Sequence, residues 1–267
     1  MAHRAAAFSR SLHPRLGRLF NRTSQRSFMV AFDRTLLEGP APYGVDARAT
    51  LAKIVEAGPE AVLMGPGLIK QAGDLFGFHG APAIVARIDL PLVAEFRVGG
   101  TELYEAAVDP QLAAAMGADA AVMCLIDGFD DPQNFARNLE AVRLAVESCH
   151  AIGLPLIVEA VLWGQRNSDQ TDAAKLARIC RIAAELGADL IKTQYPGTAA
   201  GMKQLTEGCP IPVLVLGGKA TDAQAVKSFT EGAIAGGGRG VIYGRNVWQR
   251  EDVASMAKTL RDLVHGA

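Results

Sequence analysis

The chain has 267 residues, 49% of them hydrophobic and 21% charged, with a net charge of -1 and a pI near 6.5. That balance is ordinary for a globular protein and unlike a nucleic-acid surface, which carries a basic excess. No apolar run approaches the ~20 residues of a membrane-spanning helix, so neither nucleic acid nor membrane is an expected partner.

At the amino terminus, Arg4, Arg10, Arg15, Arg18, Arg22 and Arg26 all precede the first acid, Asp33. An Arg-rich, acid-poor segment suits an organellar transit peptide. It also suits an arm that packs under a barrel or against a neighbouring subunit. Leu16, Leu19 and Phe20 have helical spacing, which favours the arm, here residues 1–27. Phe28 to Phe32 then form the first apolar strand and open a catalytic domain spanning 28–267.

From there two patterns alternate. Gly58-Pro59-Glu60, Gly117-Ala118-Asp119 and Gly187-Ala188-Asp189 each lead into an apolar strand, and Gly238-Arg239-Gly240 is a looser fourth copy. Glycine there suits a left-handed helix C-cap. Gly80-Ala81-Pro82, Gly153-Leu154-Pro155 and Gly208-Cys209-Pro210 lead into the strands between, where proline is tolerated at a strand's first residue. Eight short apolar strands, most followed by a helical stretch, predict a single-domain α/β fold, a (β/α)8 TIM barrel with an N-terminal helical arm. A doubly wound open sheet is the competing architecture.

In such a barrel the chemistry sits at the carboxyl ends of the strands. Those ends carry Asp33 and Arg34 on the first strand, Arg87 then Asp89 on the third, and Asp127 after the fourth. The fifth carries Glu159, followed by Trp163, and the sixth carries Lys192. A lysine at the end of a buried strand loses water, which lowers the pKa of an amine, and a neutral amine attacks carbonyl carbon. Its plainer reading is a packed stem with the ammonium at solvent or a carboxylate. Asp33 is placed to pass protons to a bound substrate, or else to cap a turn. Asp127 and Glu159 are further acid/base candidates, with an Asx turn and a pairing to Arg166 or Arg87 as their structural alternatives. Gly217-Gly218-Lys219 after the seventh strand and Gly244-Arg245 after the eighth offer unobstructed backbone amides and a guanidinium, where these barrels commonly hold phosphate. Lys219 adds charge there or stays solvated. Cys124, Cys149, Cys180 and Cys209 show no CxxC or metal spacing and read as buried thiols of a reducing compartment, so the expected location is the cytoplasm. The histidines are too dispersed for a metal site.

Together these motifs resemble the DeoC/LacD-type class I aldolases, in the branch of the archaeal-type fructose-bisphosphate aldolases and the LsrF-like thiolases. The matching segments are Met29-Val30-Ala31-Phe32-Asp33, Gly187 to Thr193, Leu216-Gly217-Gly218-Lys219 and Gly244 to Gln249, with the arm Arg15 to Phe20. The resemblance implies a Schiff base on Lys192, the strand-one role for Asp33, and a phosphate cradle of Gly217, Gly218, Gly244 and Arg245. It implies a small phosphorylated keto or sugar-like substrate, no metal, no cofactor, and a homo-oligomer that is a decameric ring in many members. Two departures stand out. Arg34 follows the aspartate where histidine is common, and is taken as a contact for a second anionic substrate group. The tyrosine that donates a proton after strand five in fructose-bisphosphate aldolases is absent from Val158-Glu159-Ala160-Val161-Leu162-Trp163-Gly164.

The expected activity is a carbon–carbon lyase working through Lys192, with Asp33 and Glu159 moving protons. The alternatives are an LsrF-like acyl transferase with coenzyme A as co-substrate, a phosphate-ligand-binding barrel that has lost its chemistry, and a metal-dependent aldolase.

Overall fold

The computed structural model describes residues 14–34, 36, 46–93 and 102–266. Residues 1–13 of the arm, including Arg4 and Arg10, lie outside the described residues. A short helix α1 (Pro14–Arg18) leads to β1 (Ser27–Phe32), α2 (Ala47–Glu56), β2 (Ala61–Met64), α3 (Pro66–Ala72) and β3 (Ala83–Arg87). A hairpin of β4 (Asp89–Leu92) and β5 (Leu103–Ala106) comes next, then α4 (Pro110–Ala115) and β6 (Ala120–Ile126). The chain continues through α5 (Pro132–Ala151), β7 (Leu156–Val161), α6 (Ala173–Glu185), β8 (Leu190–Thr193) and α7 (Ala199–Gly208). It ends with β9 (Val213–Leu216), α8 (Ala223–Ala235), β10 (Gly240–Tyr243), α9 (Arg245–Trp248) and α10 (Val253–His265).

Eight strands close into one barrel in the order β1-β10-β9-β8-β7-β6-β3-β2, every pair parallel. This is the (β/α)8 barrel expected, and closure excludes the doubly wound sheet. The antiparallel hairpin β4–β5 is an addition that the eight-strand count did not include.

Alternation along each strand sorts the core into two. Met29, Ala31, Leu63, Val85, Val122, Ile157, Leu190, Leu214 and Ile242 fill the barrel interior, while Phe28, Val30, Val62, Ile84, Met123, Val158, Ile191 and Val241 pack outward with the helices. Leu16 and Leu19 of the arm join the interior set, so α1 stoppers the amino-terminal mouth. Arg18 pairs with Asp119 and Arg15 donates to the Gly153 carbonyl, fixing that stopper to two inter-element turns. At the other mouth the same period-two alternation turns the residues above this apolar layer inward, and several of those residues are charged.

The repeated Gly-x-acid pattern has a physical cause. Gly58, Gly117 and Gly187 take positive φ of 67°, 94° and 105°, a backbone that favours glycine. The acid after each accepts the amide N–H at the start of the neighbouring strand: Glu60 from Phe28 at 2.7 Å, Asp119 from Ile84 at 3.0 Å, and Asp189 from Leu156 at 2.8 Å. A barrel's lower rim leaves such N–H groups without ladder partners, and a buried unpaired amide is costly.

Candidate active site

The site grows out of strand register. Cys124 of β6 pairs in register with Glu159 of β7, and Glu159 pairs with Lys192 of β8. Neighbours in a parallel register leave the sheet on the same side. Inward alternation brings Asp33 after β1 and Arg87 at the end of β3 into the same ring. Eight of the residues picked from the sequence for binding and chemistry (Asp33, Arg34, Glu159, Lys192, Gly217, Gly218, Gly244 and Arg245) line a single pocket at the carboxyl ends of the strands. Arg87 and Trp163 line it with them. Its empty space, open solvent included, is about 510 Å³.

Lys192 lies on the floor, 5% exposed. Its Nζ stands 2.8 Å from Glu159 Oε1. Burial is as the strand position predicts, and the carboxylate beside the amine is the partner that the plainer reading of this lysine allowed. The other Glu159 oxygen accepts from Arg87 Nη2. Burial raises the proton affinity of this carboxyl group, but Lys192 and Arg87 outweigh it and hold the pKa down at about 2. Glu159 is thus an anion between two cations.

Arg87, 2% exposed, is the hub. Its Nε donates to Asp33 Oδ2 at 2.9 Å, and Nη1 donates to Asp89 Oδ1 at 3.0 Å and to Cys124 Sγ at 3.2 Å. Burial opposes its charge, but the carboxylates Glu159, Asp89 and Asp33 prevail and hold its pKa well above the ordinary value. Asp89 is shifted upward by burial, against the pull of Arg87, and its Oδ2 accepts the Cys124 amide at 2.6 Å. Burial likewise lifts the Cys124 thiol well above its usual range, with Asp89 adding to it. That keeps Cys124 a protonated, unreactive thiol, in line with the buried role expected for it. Asp89 also lifts the phenol of Tyr104, after burial; the hydroxyl is enclosed and makes no well-formed hydrogen bond among the described residues.

Sequence reasoning left Arg87 and Asp89 out of its site residues. The available signal was the inward phase Ala83, Val85, Arg87 on a strand whose other inward residues are apolar. Asp127 is not among the pocket residues; it pairs with Arg178 on the outside of the ring. Lys219 is exposed and off the pocket lining.

The upper rim is stitched from two loops. Arg245 Nη2 donates to the Gly218 carbonyl at 2.8 Å, and Asn246 Nδ2 donates to the carbonyls of Gly217 and Lys219 at 2.7 and 3.2 Å. Asn246 Oδ1 accepts the Thr221 amide at 3.0 Å. Gly217 and Gly244 have packing reasons to lack a side chain. A Cβ on Gly217 would meet Tyr243 at 3.0 Å, and one on Gly244 would meet the Ala31 carbonyl oxygen at 2.9 Å. On the opposite wall, Trp163 follows β7 where a tyrosine was sought, and no tyrosine lines the pocket among the described residues. The loop carrying Trp163 is held by Glu102, whose carboxylate accepts the amides of Asp130 and Gln165 at 2.8 and 3.1 Å. Among the described residues no group of three or more His, Cys, Asp or Glu is placed to hold a metal ion, and no helix is long and apolar enough to cross a membrane.

Comparison with known proteins agrees with this geometry. The model of the DeoC/LacD aldolase family matches residues 27–250. An uncharacterized aldolase of Saccharolobus solfataricus is 29% identical over 255 residues, covering 94% of this chain and 93% of its own. The 2-amino-4,5-dihydroxy-6-oxo-7-(phosphonooxy)heptanoate synthase of Streptomyces griseus is 28% identical over 263 residues, covering 98% of this chain and 92% of its own. Among solved structures, an archaeal fructose 1,6-bisphosphate aldolase superposes with a TM-score of 0.83 at 25% identity, covering 95% of this chain and 98% of its own. A Schiff-base-forming fructose-1,6-bisphosphate aldolase gives 0.80 at 25% identity, covering 94% and 98%.

Proposed function

Because the chain belongs to the DeoC/LacD family of aldolases, we propose that it is a class I lyase that makes or breaks a carbon–carbon bond in a small phosphorylated keto or sugar-like compound through a Schiff base on Lys192. The observation that carries this is a buried lysine 2.8 Å from a carboxylate at the floor of a pocket whose rim is built from Gly217, Gly218, Gly244 and Arg245. Lys192 attacks the ketone carbon, water leaves, and the resulting iminium draws electrons from the adjacent carbon–carbon bond. Glu159 exchanges protons with the lysine nitrogen. Asp33, across the barrel just after β1, moves protons on the substrate. Rim amides and Arg245 hold the phosphate, so binding energy remote from the reacting carbon fixes its position. Arg34, at the same mouth, meets a second anionic group of the substrate. This chemistry draws on the lysine itself and on no added metal or cofactor. Two relatives support this reading: the Streptomyces synthase, named for a phosphorylated oxo compound, supports the substrate class, and one structural neighbour, named for a Schiff-base mechanism, supports the chemistry.

The test is intact-mass analysis after borohydride reduction with a panel of phosphorylated ketones. A mass increment that maps to Lys192 and vanishes in Lys192→Arg is the expected result. Trapping on another residue, or none with any ketone, overturns the assignment. A second reading is acyl transfer from a phosphorylated diketone to coenzyme A: no tyrosine lines the pocket among the described residues, and the tetrahedral alkoxide formed by the thiol collapses to the thioester without being protonated. A product that forms only when the thiol is present selects it. Ligand binding with neither trapping nor turnover selects a barrel that binds phosphate compounds without chemistry. The working form is expected to be a homo-oligomer in the cytoplasm; sizing chromatography reads the first of these.

A further inference from the structure

Arg87 reaches three carboxylates from three different elements: Asp33 after β1, Asp89 on β4 and Glu159 on β7. Asp89 is 0% exposed and absent from the pocket lining, and its second oxygen is tied to the β6 backbone at Cys124. It therefore acts as the fixed end. Arg87 is the rigid fork held by that end, and its remaining donors set the two carboxylates that face the pocket. The groups facing Glu159 are Lys192 from β8, Arg87 from β3 and the Cys124 thiol from β6, 3.9 Å away, with Asp33 and Asp89 beyond the guanidinium.

We infer that Arg87 is a positioning residue for imine formation, holding Glu159 as the proton carrier while the Lys192 nitrogen passes through its uncharged stages. The inference rests on the Schiff-base reading above. Converting an ammonium and a ketone to an iminium and water moves two protons from nitrogen to oxygen. Glu159 takes the first from the ammonium; the freed amine forms the C–N bond while the carbonyl π electrons move to oxygen, and that oxygen receives the proton. Glu159 takes the second from the carbinolamine nitrogen and delivers it to the hydroxyl, which leaves as water as the C=N bond forms. Glu159 ends as it began and the charge balances. Whenever the nitrogen is uncharged, Glu159 holds the proton, and Arg87 on its other oxygen is then the cation that keeps it acidic enough to give that proton up. Without it, a carboxylate in a desolvated site keeps the proton instead of passing it on.

The experiment is a double-mutant cycle of Arg87→Lys and Glu159→Gln, with Arg87→Gln alongside. It is read as the rate of borohydride-trapped adduct against pH, together with kcat, KM and the melting temperature. General acid–base effects set the scale, so Arg87→Lys should slow trapping by about 10- to 100-fold and Arg87→Gln by more, with KM changed by less than about 3-fold. Loss of the guanidinium raises the proton affinity of Glu159, so the acid limb of the rate profile moves to higher pH, farthest in Arg87→Gln. In the Glu159→Gln background, Arg87→Lys should cost less than about 3-fold more, as expected for residues acting through one another. Equal losses in both backgrounds, or a lowered melting temperature with an unmoved acid limb, overturn the inference and leave Arg87 a structural ion. Should Arg87 variants fail to fold, Asp89→Asn loosens the anchor with the guanidinium kept, and must give the same signature in smaller measure. Wild-type protein that traps while the cycle is additive defeats this inference alone; wild-type protein that traps nothing defeats the Schiff-base reading with it.

Discussion

Lys192 and Glu159 occupy paired positions on neighbouring parallel strands, so their side chains must leave the sheet together. Each side chain in isolation is costly to bury as an ion, and together with Arg87 they make a charged cluster in which every charge has a partner. The same pairing makes stability depend on acid. Glu159 is held at about 2, below its ordinary 4.5. A carboxylate depressed on folding contributes stability that is complete above the unfolded value and is lost as pH falls through the folded one. Urea midpoints of the wild-type protein should therefore drop as pH goes from about 4.5 toward 2, and the Glu159→Gln variant should show a flatter profile over that window. An equally steep profile in the variant would place the acid-sensitive group elsewhere. At this scale the sequence offered Lys192, Glu159 and Asp33 as neighbours-to-be and Arg87 as one of two partners for Glu159, a contact the structure contains; what it did not offer was Arg87 as the common partner of Asp33, Asp89 and Glu159.

The elements carry their own repeated device. Glu60, Asp119 and Asp189 sit in equivalent places after left-handed glycines, and each receives an amide from the first two residues of an adjacent strand. The pattern was legible as a repeat, and its meaning as a rim clasp was not, because the donating amide lies 32 to 35 residues away. Asp119→Ala should lower stability by about 2 kcal/mol, the usual scale for a charged hydrogen bond to a buried amide, and should leave borohydride trapping at Lys192 intact. Chemical denaturation followed by intact mass checks both; a stability change near zero would reduce the acid to ornament. The loops at the opposite rim use glycine differently. Gly128 and Gly164 meet backbone to backbone, and a Cβ on Gly164 would stand 2.3 Å from the Gly128 carbonyl oxygen. That close approach, with Glu102 beneath it, fixes Trp163 in the wall of the pocket.

For the whole molecule, closure of eight strands creates two mouths with opposite demands. The upper mouth must stay open for a ligand and is ringed with charge. The lower mouth exposes apolar interior unless something covers it, and Leu16 and Leu19 of the arm do so, with Leu19 fully buried. Leu19→Ala should cost about 2–5 kcal/mol, as for other large-to-small changes in a packed core, and should lower the melting temperature with no change in the pH profile of trapping. Near-native stability in that variant would mean the arm only rests on the barrel. The covered mouth gives residues 14–20 a packing role that their arginine content alone did not reveal.

The sequence by itself determined the fold class and the identity of most pocket residues. Both come from local rules: period-two apolar strands, glycine caps, proline at strand starts, and polar residues confined to strand ends that a parallel barrel gathers on one face. Tertiary structure decided which charge meets which: of the two partners the sequence offered Glu159, Arg166 and Arg87, it is Arg87 that reaches it, from 72 residues away across the interior, and Lys192 finds Glu159 only because β7 and β8 pair in one register. Such contacts depend on strand register and barrel closure, which are long-range properties with no local signature in the chain.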